Sequence, residues 1–260
     1  MQWRSVVEFG HASTTAHVRR LGPDSGPQYV LVHGIGVGHS YFTRLAAALT
    51  GTGAKAAAPG GVHVLELPGF GGTPRPPAPL TIEQLAGVVV AYIRHAGLDR
   101  PVLVGHSMGA QVVLEAVLQD PAVADSVVSI GGVVDPGARS ATRQGLRLVA
   151  DFLLETPSAN WAVLRDYART GPRRYFETVP IMLGYATEEA LARLPVPLLV
   201  IRGSRDPVAP HAWAEHMARL APVSRLVEIP GAHVVMHTRP EEVAREISTH
   251  SGVGREAVGQ

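Results

Sequence analysis

One serine of this sequence lies between glycines at the point where an apolar run changes into a helical pattern. The segment Gly105-His106-Ser107-Met108-Gly109 fits Gly-x-Ser-x-Gly, a spacing that holds a nucleophilic serine on a sharp turn from strand to helix. Residues 101–104 before it are apolar, and residues 110–118 after it are apolar enough for a helix packed on a sheet. A serine that only capped the helix would leave the two glycines unexplained, so we predict Ser107 to be a nucleophile.

A nucleophilic serine needs a base that removes its proton and a carboxylate that orients the base. Among 12 histidines we favour His233, which follows an apolar run and the turn-forming Pro230-Gly231. Two aspartates compete as the acid, because Asp206 and Asp135 both lie just past an apolar run and just before a proline. We favour Asp206, since an Asp-Pro-Gly turn explains Asp135 without chemistry. In an open parallel sheet such segments meet at one carboxyl edge.

The composition excludes other kinds of site. The chain has no cysteine, which excludes disulfides, thiolate metal sites and a cysteine nucleophile. Lys plus Arg (23) and Asp plus Glu (22) leave a net charge of +1, so we expect no nucleic acid or membrane partner. The start of the chain does not resemble a secretion signal, and no stretch approaches the roughly 20 apolar residues of a membrane span. We therefore expect a cytoplasmic protein with a small-molecule substrate, and the sequence leaves its oligomeric state open.

Alternating strands and helices are predicted to position these residues. Segments 3–9 and 14–20 predict two edge strands, and apolar runs predict the others. Strands that alternate with helices imply right-handed crossovers and a mostly parallel sheet with helices on both faces. The remaining strands are predicted at 28–32, 62–67, 101–105, 126–130, 197–201 and 225–229, and helices at 39–49, 82–95, 110–118 and 240–249.

These motifs together resemble the α/β-hydrolase superfamily over about the whole chain. The resemblance rests on His33-Gly34-Ile35-Gly36, Leu67-Pro68-Gly69-Phe70-Gly71, the serine turn, Gly203-Ser204-Arg205-Asp206-Pro207 and Gly231-Ala232-His233, in the superfamily's order. It implies an eight-stranded, mostly parallel α/β-hydrolase sheet with a helical cap. It also implies Ser107 as nucleophile, Asp206 as acid and His233 as base, with the backbone N–H groups of Ile35 and Met108 as the oxyanion hole.

The sequence departs from the superfamily's pattern at two positions beside one of these motifs. Glu66 stands where aspartate is common, and Thr73 stands where serine is common. Neither residue is catalytic in this interpretation, so the departures bear only on contacts within the loop.

A long insertion, residues 136–194, separates the strands before and after it and shows helical patterning. It is rich in aromatic residues, so we expect a cap over the site, in which Phe152, Trp161 and Phe176 are the candidate substrate-binding residues. The alternative is a helical excursion that packs on itself. We expect its arginines to be solvated on the outer surface. The expected division is a core of 1–135 and 195–250, the cap, and a flexible tail, 251–260.

Two rival sites are weak. Residues 34–38 carry glycines between a strand and a helix, as in dinucleotide-binding folds, but His39 stands where the third glycine is required. His233 and His237 have the spacing of two zinc ligands on a helix, but the glutamate of that motif and a third ligand are missing. We therefore expect no cofactor and no metal.

The expected protein is a serine hydrolase that cleaves a carboxylic ester of a small or medium, largely apolar molecule. The alternative within the fold is a C–C bond hydrolase of the meta-cleavage-product type, which uses the same triad. A non-catalytic binder on the same fold is the alternative from another class.

Overall fold

The structure is a computed structural model that describes residues 3–51 and 60–258, with side chains described as far as residue 251. Eight strands in this part of the chain form one sheet. The strands are Ser5–His11 (β1), Thr14–Leu21 (β2), Gln28–Val32 (β3), Gly61–Glu66 (β4), Val102–His106 (β5), Ser126–Ile130 (β6), Leu198–Gly203 (β7) and Ser224–Ile229 (β8).

The strand order is β1-β2-β4-β3-β5-β6-β7-β8. β2 runs antiparallel to β1 and to β4, and the remaining neighbours are parallel. The eight-stranded, mostly parallel sheet is therefore confirmed. We expected β1 and β2 both to be edge strands, but β2 lies one strand inside, because its second side pairs with β4. The parallel strands β3 and β5 to β8 bring their carboxyl ends to one edge of the sheet.

Ten α-helices occur in the described ranges 3–51 and 60–258. The predicted start of the second helix is correct, because Thr81 Oγ1 accepts a hydrogen bond from the Gln84 backbone N–H and Gln84 Oε1 accepts one from the Thr81 N–H. We expected a helix from 240 to about 249 followed by a flexible tail, but the last helix continues to Val258, and residues 259–260 lie outside the described residues. The helices are Thr43–Leu49 (α1), Ile82–His95 (α2), Met108–Gln119 (α3), Ala141–Leu154 (α4), Pro157–Thr170 (α5), Pro172–Gly184 (α6), Thr187–Ala192 (α7), His211–Leu220 (α8), Val235–Thr238 (α9) and Pro240–Val258 (α10).

Helices cover both faces of the sheet, as the alternation of elements predicts. Successive strand residues point to opposite faces, so Val30 of β3 joins one buried cluster and Leu31 joins the other. α2, α3 and α8 pack on the first face, and α1 and α10 pack on the second. The sheet is thus buried on both sides, which explains why its central strands read as continuous apolar runs.

The insertion between β6 and β7 contains α4 to α7, and its first two helices reverse the usual burial pattern. α4 buries Gln144 and Asp151 but exposes Leu146 and Leu153. The buried apolar residues of α6 and α7 belong to the same buried cluster as those of α2, α3 and α8, so the insertion does not pack chiefly on itself. None of the described helices is long and apolar enough to cross a bilayer.

Candidate active site

Ser107 lies on a strained turn between β5 and α3. Its backbone has φ 55° and ψ −121°, a left-handed conformation that side-chain-bearing residues rarely adopt. The flanking glycines make the turn possible, because a Cβ added at Gly105 would lie 2.6 Å from Ala110 Cα and one at Gly109 would lie 2.7 Å from the His33 carbonyl oxygen. Strand and helix can approach so closely only with glycine at both positions.

Asp206 and His233 form a buried hydrogen-bonded pair at the same edge of the sheet. His233 Nδ1 donates to Asp206 Oδ2 over 2.8 Å. The other carboxylate oxygen accepts hydrogen bonds from the backbone N–H groups of Val208 and Ala209, at 2.8 and 3.0 Å. Gly131 at the end of β6 leaves room for the pair, because a Cβ there would lie 2.9 Å from the His233 ring. The carboxylate is therefore fixed in orientation as well as in position.

The competing aspartate, Asp135, is engaged elsewhere. Its Oδ1 accepts a hydrogen bond from the Gly137 backbone N–H over 2.9 Å, and its Oδ2 pairs with Arg147 over 2.8 Å. Both contacts stabilise the turn that opens the insertion. The structure thus brings Asp206, and not Asp135, to His233.

The pKa of His233 is raised by its carboxylate neighbours. Burial by itself would lower this pKa, but the negative charge and hydrogen bond of Asp206, with the charges of Asp151 and Glu155, raise it to about 9. The pKa of the neighbouring His106 is instead held well below its usual value, chiefly by burial. The two histidines therefore differ in charge over a wide pH range, although their ring centroids lie only 4.6 Å apart.

A chain of hydrogen bonds joins the loop after β3 to the segment that contains His233. The Gly34 backbone N–H donates to the Tyr41 hydroxyl over 2.8 Å, and that hydroxyl lies 3.0 Å from His106 Nδ1. His106 Nε2 lies 3.1 Å from the His233 carbonyl oxygen. If the hydroxyl donates to Nδ1, then Nε2 carries the proton and donates to that carbonyl. Sequence patterns gave no signal for Tyr41, because it belongs to no motif.

The two departures from the superfamily's pattern have structural roles. Glu66 accepts hydrogen bonds from Arg19 over 2.6 Å and from His39 Nδ1 over 2.6 Å, and so holds the loop after β3. Burial would raise the pKa of Glu66, but His39 and Arg19 lower it to about 2, so the carboxylate stays ionised. Thr73 Oγ1 donates to the Leu67 carbonyl oxygen over 2.9 Å, which closes the loop after β4.

Ser107 and His233 line one cavity of about 710 Å³, between the sheet edge and α4 to α6. Ile35 lines it too, and a Cβ added at the preceding Gly34 would lie 3.0 Å from Ser107 Cβ, so this loop lies against the serine. Met108 follows the serine as the first residue of α3. Among the residues that the structure describes, no lysine or arginine lines the cavity.

The structure places the three expected substrate-binding residues differently. Phe152 and Phe176 lie on the cavity wall. Trp161 does not line the cavity, and 69% of it is exposed, so its assignment to the pocket is wrong. It faces outward because the residues that α5 buries are the small Ala159 and Ala162, with Asp166 and Thr170.

Two carboxylates of α4 and the residue after it contact the His233 segment. Asp151 Oδ1 accepts a hydrogen bond from the His233 backbone N–H over 2.8 Å, and Glu155 Oε1 accepts one from the Val234 N–H over 2.6 Å. Burial raises the pKa of both carboxyl groups. Our sequence interpretation assigned them no role in the site. Their i, i+4 spacing was the available signal, since it places both on one side of a helix.

One arginine of the insertion contradicts the expectation that all are solvated. Arg174 is 1% exposed and lies over the Phe70 ring, 5.6 Å from its centroid. Its guanidinium donates to the Pro68 carbonyl oxygen over 3.5 Å. Arg174 thus supports the loop after β4, and it does not line the cavity.

The sequence matches the model of the alpha/beta hydrolase family across residues 29–246. This chain belongs to that family. The hydrolase aligns over 93% of its length with polyketide synthase ThaQ of Burkholderia thailandensis at 26% identity, but it spans only 13% of that protein. It is 27% identical to a pimeloyl-[acyl-carrier protein] methyl ester esterase of Neisseria meningitidis, over 80% of this chain and 87% of the esterase.

Solved structures agree with the family's fold. The enol-lactonase from Burkholderia xenovorans LB400 superposes with a TM-score of 0.79 at 20% identity, covering 94% of this hydrolase and 99% of the lactonase. A thermophilic esterase from Thermogutta terrifontis gives a TM-score of 0.76 at 21% identity, covering 94% and 97% of the two chains. At such identities the likeness establishes the fold.

Proposed function

We propose that this alpha/beta hydrolase cleaves a carboxylic ester by serine catalysis. The observation that carries the proposal is one cavity lined both by Ser107, on its strained turn, and by His233, which Asp206 orients over 2.8 Å. Ser107 is the nucleophile, His233 is the general base and then the general acid, and Asp206 holds the imidazole in the required tautomer.

The reaction has two steps. Ser107 Oγ attacks the acyl carbon while His233 Nε2 takes the hydroxyl proton, and the backbone N–H groups of Ile35 and Met108 bind the oxyanion. The alkoxide then leaves with the proton from His233, which gives the acyl-enzyme and the free alcohol. In the second step His233 activates a water molecule, which attacks the same carbon, and the carboxylic acid leaves as Ser107 regains its proton.

The cavity wall supports an apolar, uncharged substrate. Most of its lining residues are apolar, with Leu148 and Val149 from α4 and Met182 from α6 among them. The charged side chains in the lining are the carboxylates Asp151 and Glu155 and, when protonated, the histidines. A C–C bond hydrolase would need cations to hold its acidic substrate, so the wall favours the ester hydrolase over that alternative. The insertion, residues 136–194, acts as a cap that sets the substrate range.

The relatives support the same class of reaction. The Neisseria relative is named as a methyl ester esterase and the Burkholderia structure as an enol-lactonase, and both names denote hydrolysis at an ester carbonyl. The cap of this chain supplies its own wall residues, so the relatives' substrates do not carry over.

The test is covalent labelling together with turnover. We expect a fluorophosphonate probe to label the wild-type protein and p-nitrophenyl butyrate to be hydrolysed, whereas Ser107→Ala abolishes both and keeps the far-UV circular dichroism of the wild type. Ser204→Ala is the matched control, because Ser204 is an exposed serine of the loop after β7, and it keeps both activities. Turnover at the wild-type rate in folded Ser107→Ala would refute the nucleophile. Preference for a carboxylate-bearing dienol would support C–C cleavage instead.

A further inference from the structure

Exposed apolar side chains on α4, α5 and α6 form a surface that we call the apolar face. It consists of Leu146, Val149, Leu153, Trp161, Leu164 and Phe176. Outside the insertion, only Val6, Val7 and Val223 of the described residues are large hydrophobic residues left exposed. A concentration of this kind marks an interaction site, because proteins seldom leave large apolar patches open to water.

The apolar face results from the orientation of α4 and α5 relative to the rest of the protein. Leu146, Val149 and Leu153 follow the i, i+3, i+7 spacing of one helix face, and that face points away from the core. The polar residues point inward and find partners there. Asp166 of α5 accepts hydrogen bonds from Ser40 Oγ at 2.7 Å and the Gly38 N–H at 3.0 Å. The outward orientation is thus fixed by specific inward contacts.

The charge around the apolar face is positive. Arg143, Arg165 and Arg169 are exposed on α4 and α5, whereas the only carboxylates of these two helices, Asp151 and Asp166, are buried, with Asp166 3.8 Å from Arg169. On α6, Glu177 is paired with the exposed Arg173 over 2.7 Å. The outward sides of α4 and α5, which carry leucine, tryptophan and arginine and no exposed carboxylate, have the composition of helices that lie in the interface of an anionic bilayer. A second copy of this chain would bring like charges together, so charge favours lipid over self-association.

The apolar face is continuous with the cavity. Val149, Leu164 and Phe176 are exposed and also line the cavity beside Ser107. An apolar molecule in the outer layer of a bilayer would therefore meet the cavity entrance without crossing water.

We propose that the apolar face docks on an anionic lipid bilayer and that the cavity takes its apolar ester from that surface. The docking stands independently of the chemistry, while the source of the ester rests on the proposed function. From the net charge of +1 we expected no membrane partner. A net charge is an average over the chain, however, and does not show that positive charge is concentrated on one surface.

The experiment is co-sedimentation of the full chain with vesicles of phosphatidylcholine alone, or mixed with phosphatidylglycerol at about two to one. We expect the wild type to bind the mixed vesicles, and added salt to weaken the binding. The double variant Leu146→Ser, Leu153→Ser should bind the mixed vesicles at least about tenfold more weakly than the wild type, because it removes two leucines from the interface. Arg143→Gln with Arg169→Gln should weaken binding to the mixed vesicles only.

Val223→Ser is the matched control, because Val223 is an exposed valine beside the amino end of β8, away from the carboxyl edge that holds the site. It should bind like the wild type. Hydrolysis of p-nitrophenyl butyrate by the leucine variant should stay at the wild-type level, since neither leucine lines the cavity. Vesicle binding without any ester hydrolysis would refute only the proposed function.

Absence of binding to the mixed vesicles would overturn the docking proposal, and so would equal binding by the leucine variant. Light scattering provides the remaining test. If the wild type is a dimer, the leucine variant is a monomer and neither binds vesicles, the occupant of the apolar face is a second copy of this chain. That result would overturn the proposal of lipid docking.

Discussion

Replacing Asp206 with asparagine should invert the hydrogen bond that orients His233. Asp206 Oδ1 accepts two backbone N–H groups, from Val208 and Ala209, so the amide oxygen must take that position. The amide NH₂ then faces His233 Nδ1 at the 2.8 Å separation now occupied by a carboxylate oxygen. An NH₂ group donates, so Nδ1 becomes the acceptor and the ring proton moves to Nε2. The imidazole in this tautomer cannot take the serine proton.

The expected loss is large. The corresponding change in a serine protease lowers kcat by about 10⁴-fold, which is about 5.5 kcal/mol of transition-state free energy. Asp206, together with the charges of Asp151 and Glu155, raises the pKa of His233 from 6.5 to about 9, which is worth about 3 kcal/mol to the fold, and Asp206 supplies the largest part of this. That contribution is complete below about pH 6.5 and is lost as the pH rises through about 9. Asp206→Asn should therefore be destabilised more at about pH 6 than at about pH 10.

The assay compares kcat for p-nitrophenyl butyrate in Asp206→Asn and Asp135→Asn, with urea unfolding of both variants. Asp135 is the matched control, because it is an aspartate before a proline that caps a turn and pairs with Arg147. We expect Asp135→Asn to lower kcat by less than about tenfold. A folded Asp206→Asn within tenfold of the wild type, or the reverse ranking of the two, would refute the reasoning.

Three further predictions follow from contacts in the site. The kcat/KM of the wild type should rise as the pH passes through about 9, because only neutral His233 accepts a proton. A pH profile of kcat/KM with its midpoint near 6.5 would contradict this. Asp151→Asn keeps an acceptor for the His233 N–H but removes a charge, so the midpoint should move to lower pH; an unchanged midpoint in an active variant would exclude the charge effect. Gly105→Ala should lower the free energy of unfolding in urea by about 3 kcal/mol or more, because the added Cβ meets the backbone of α3. Gly184→Ala is the control: the space around Gly184 is open, so this variant should change the free energy of unfolding by less than about 1 kcal/mol.

Local patterns predicted the elements well because the physics of those elements is local. A buried parallel strand must be apolar on both faces, so β3 and β6 appear in the sequence with the bounds that the structure gives them. The turn at Ser107 could be predicted for a similar reason, since the glycines that it requires are its near neighbours. The choice of Asp206 over Asp135 rested on the superfamily's usual acid-loop pattern as well as on turn chemistry, and in the structure it is Asp206 that is hydrogen-bonded to His233.

The missed features depend on contacts between residues far apart in the sequence. Asp151 meets the His233 backbone across 82 positions, and no local pattern encodes which carboxylate of the insertion turns inward. Trp161 was assigned to the cavity because large aromatic residues are usually buried, and that average fails on a helix whose buried side is occupied by small residues. Helical periodicity identifies the two faces of α4 and α5, but it does not say which face the core receives.

The carboxylates around His233 act on different parts of it. Asp206 binds the ring, whereas Asp151 and Glu155 bind the backbone N–H groups of His233 and the next residue, so they fix where the segment lies. All three charges raise the pKa of the ring. Because Asp151 and Glu155 belong to the insertion, any movement of α4 away from the sheet would remove two of these charges and release the segment, while the bond to Asp206 remains. The position of the insertion is therefore coupled to where the His233 segment lies and to the negative charge around its ring.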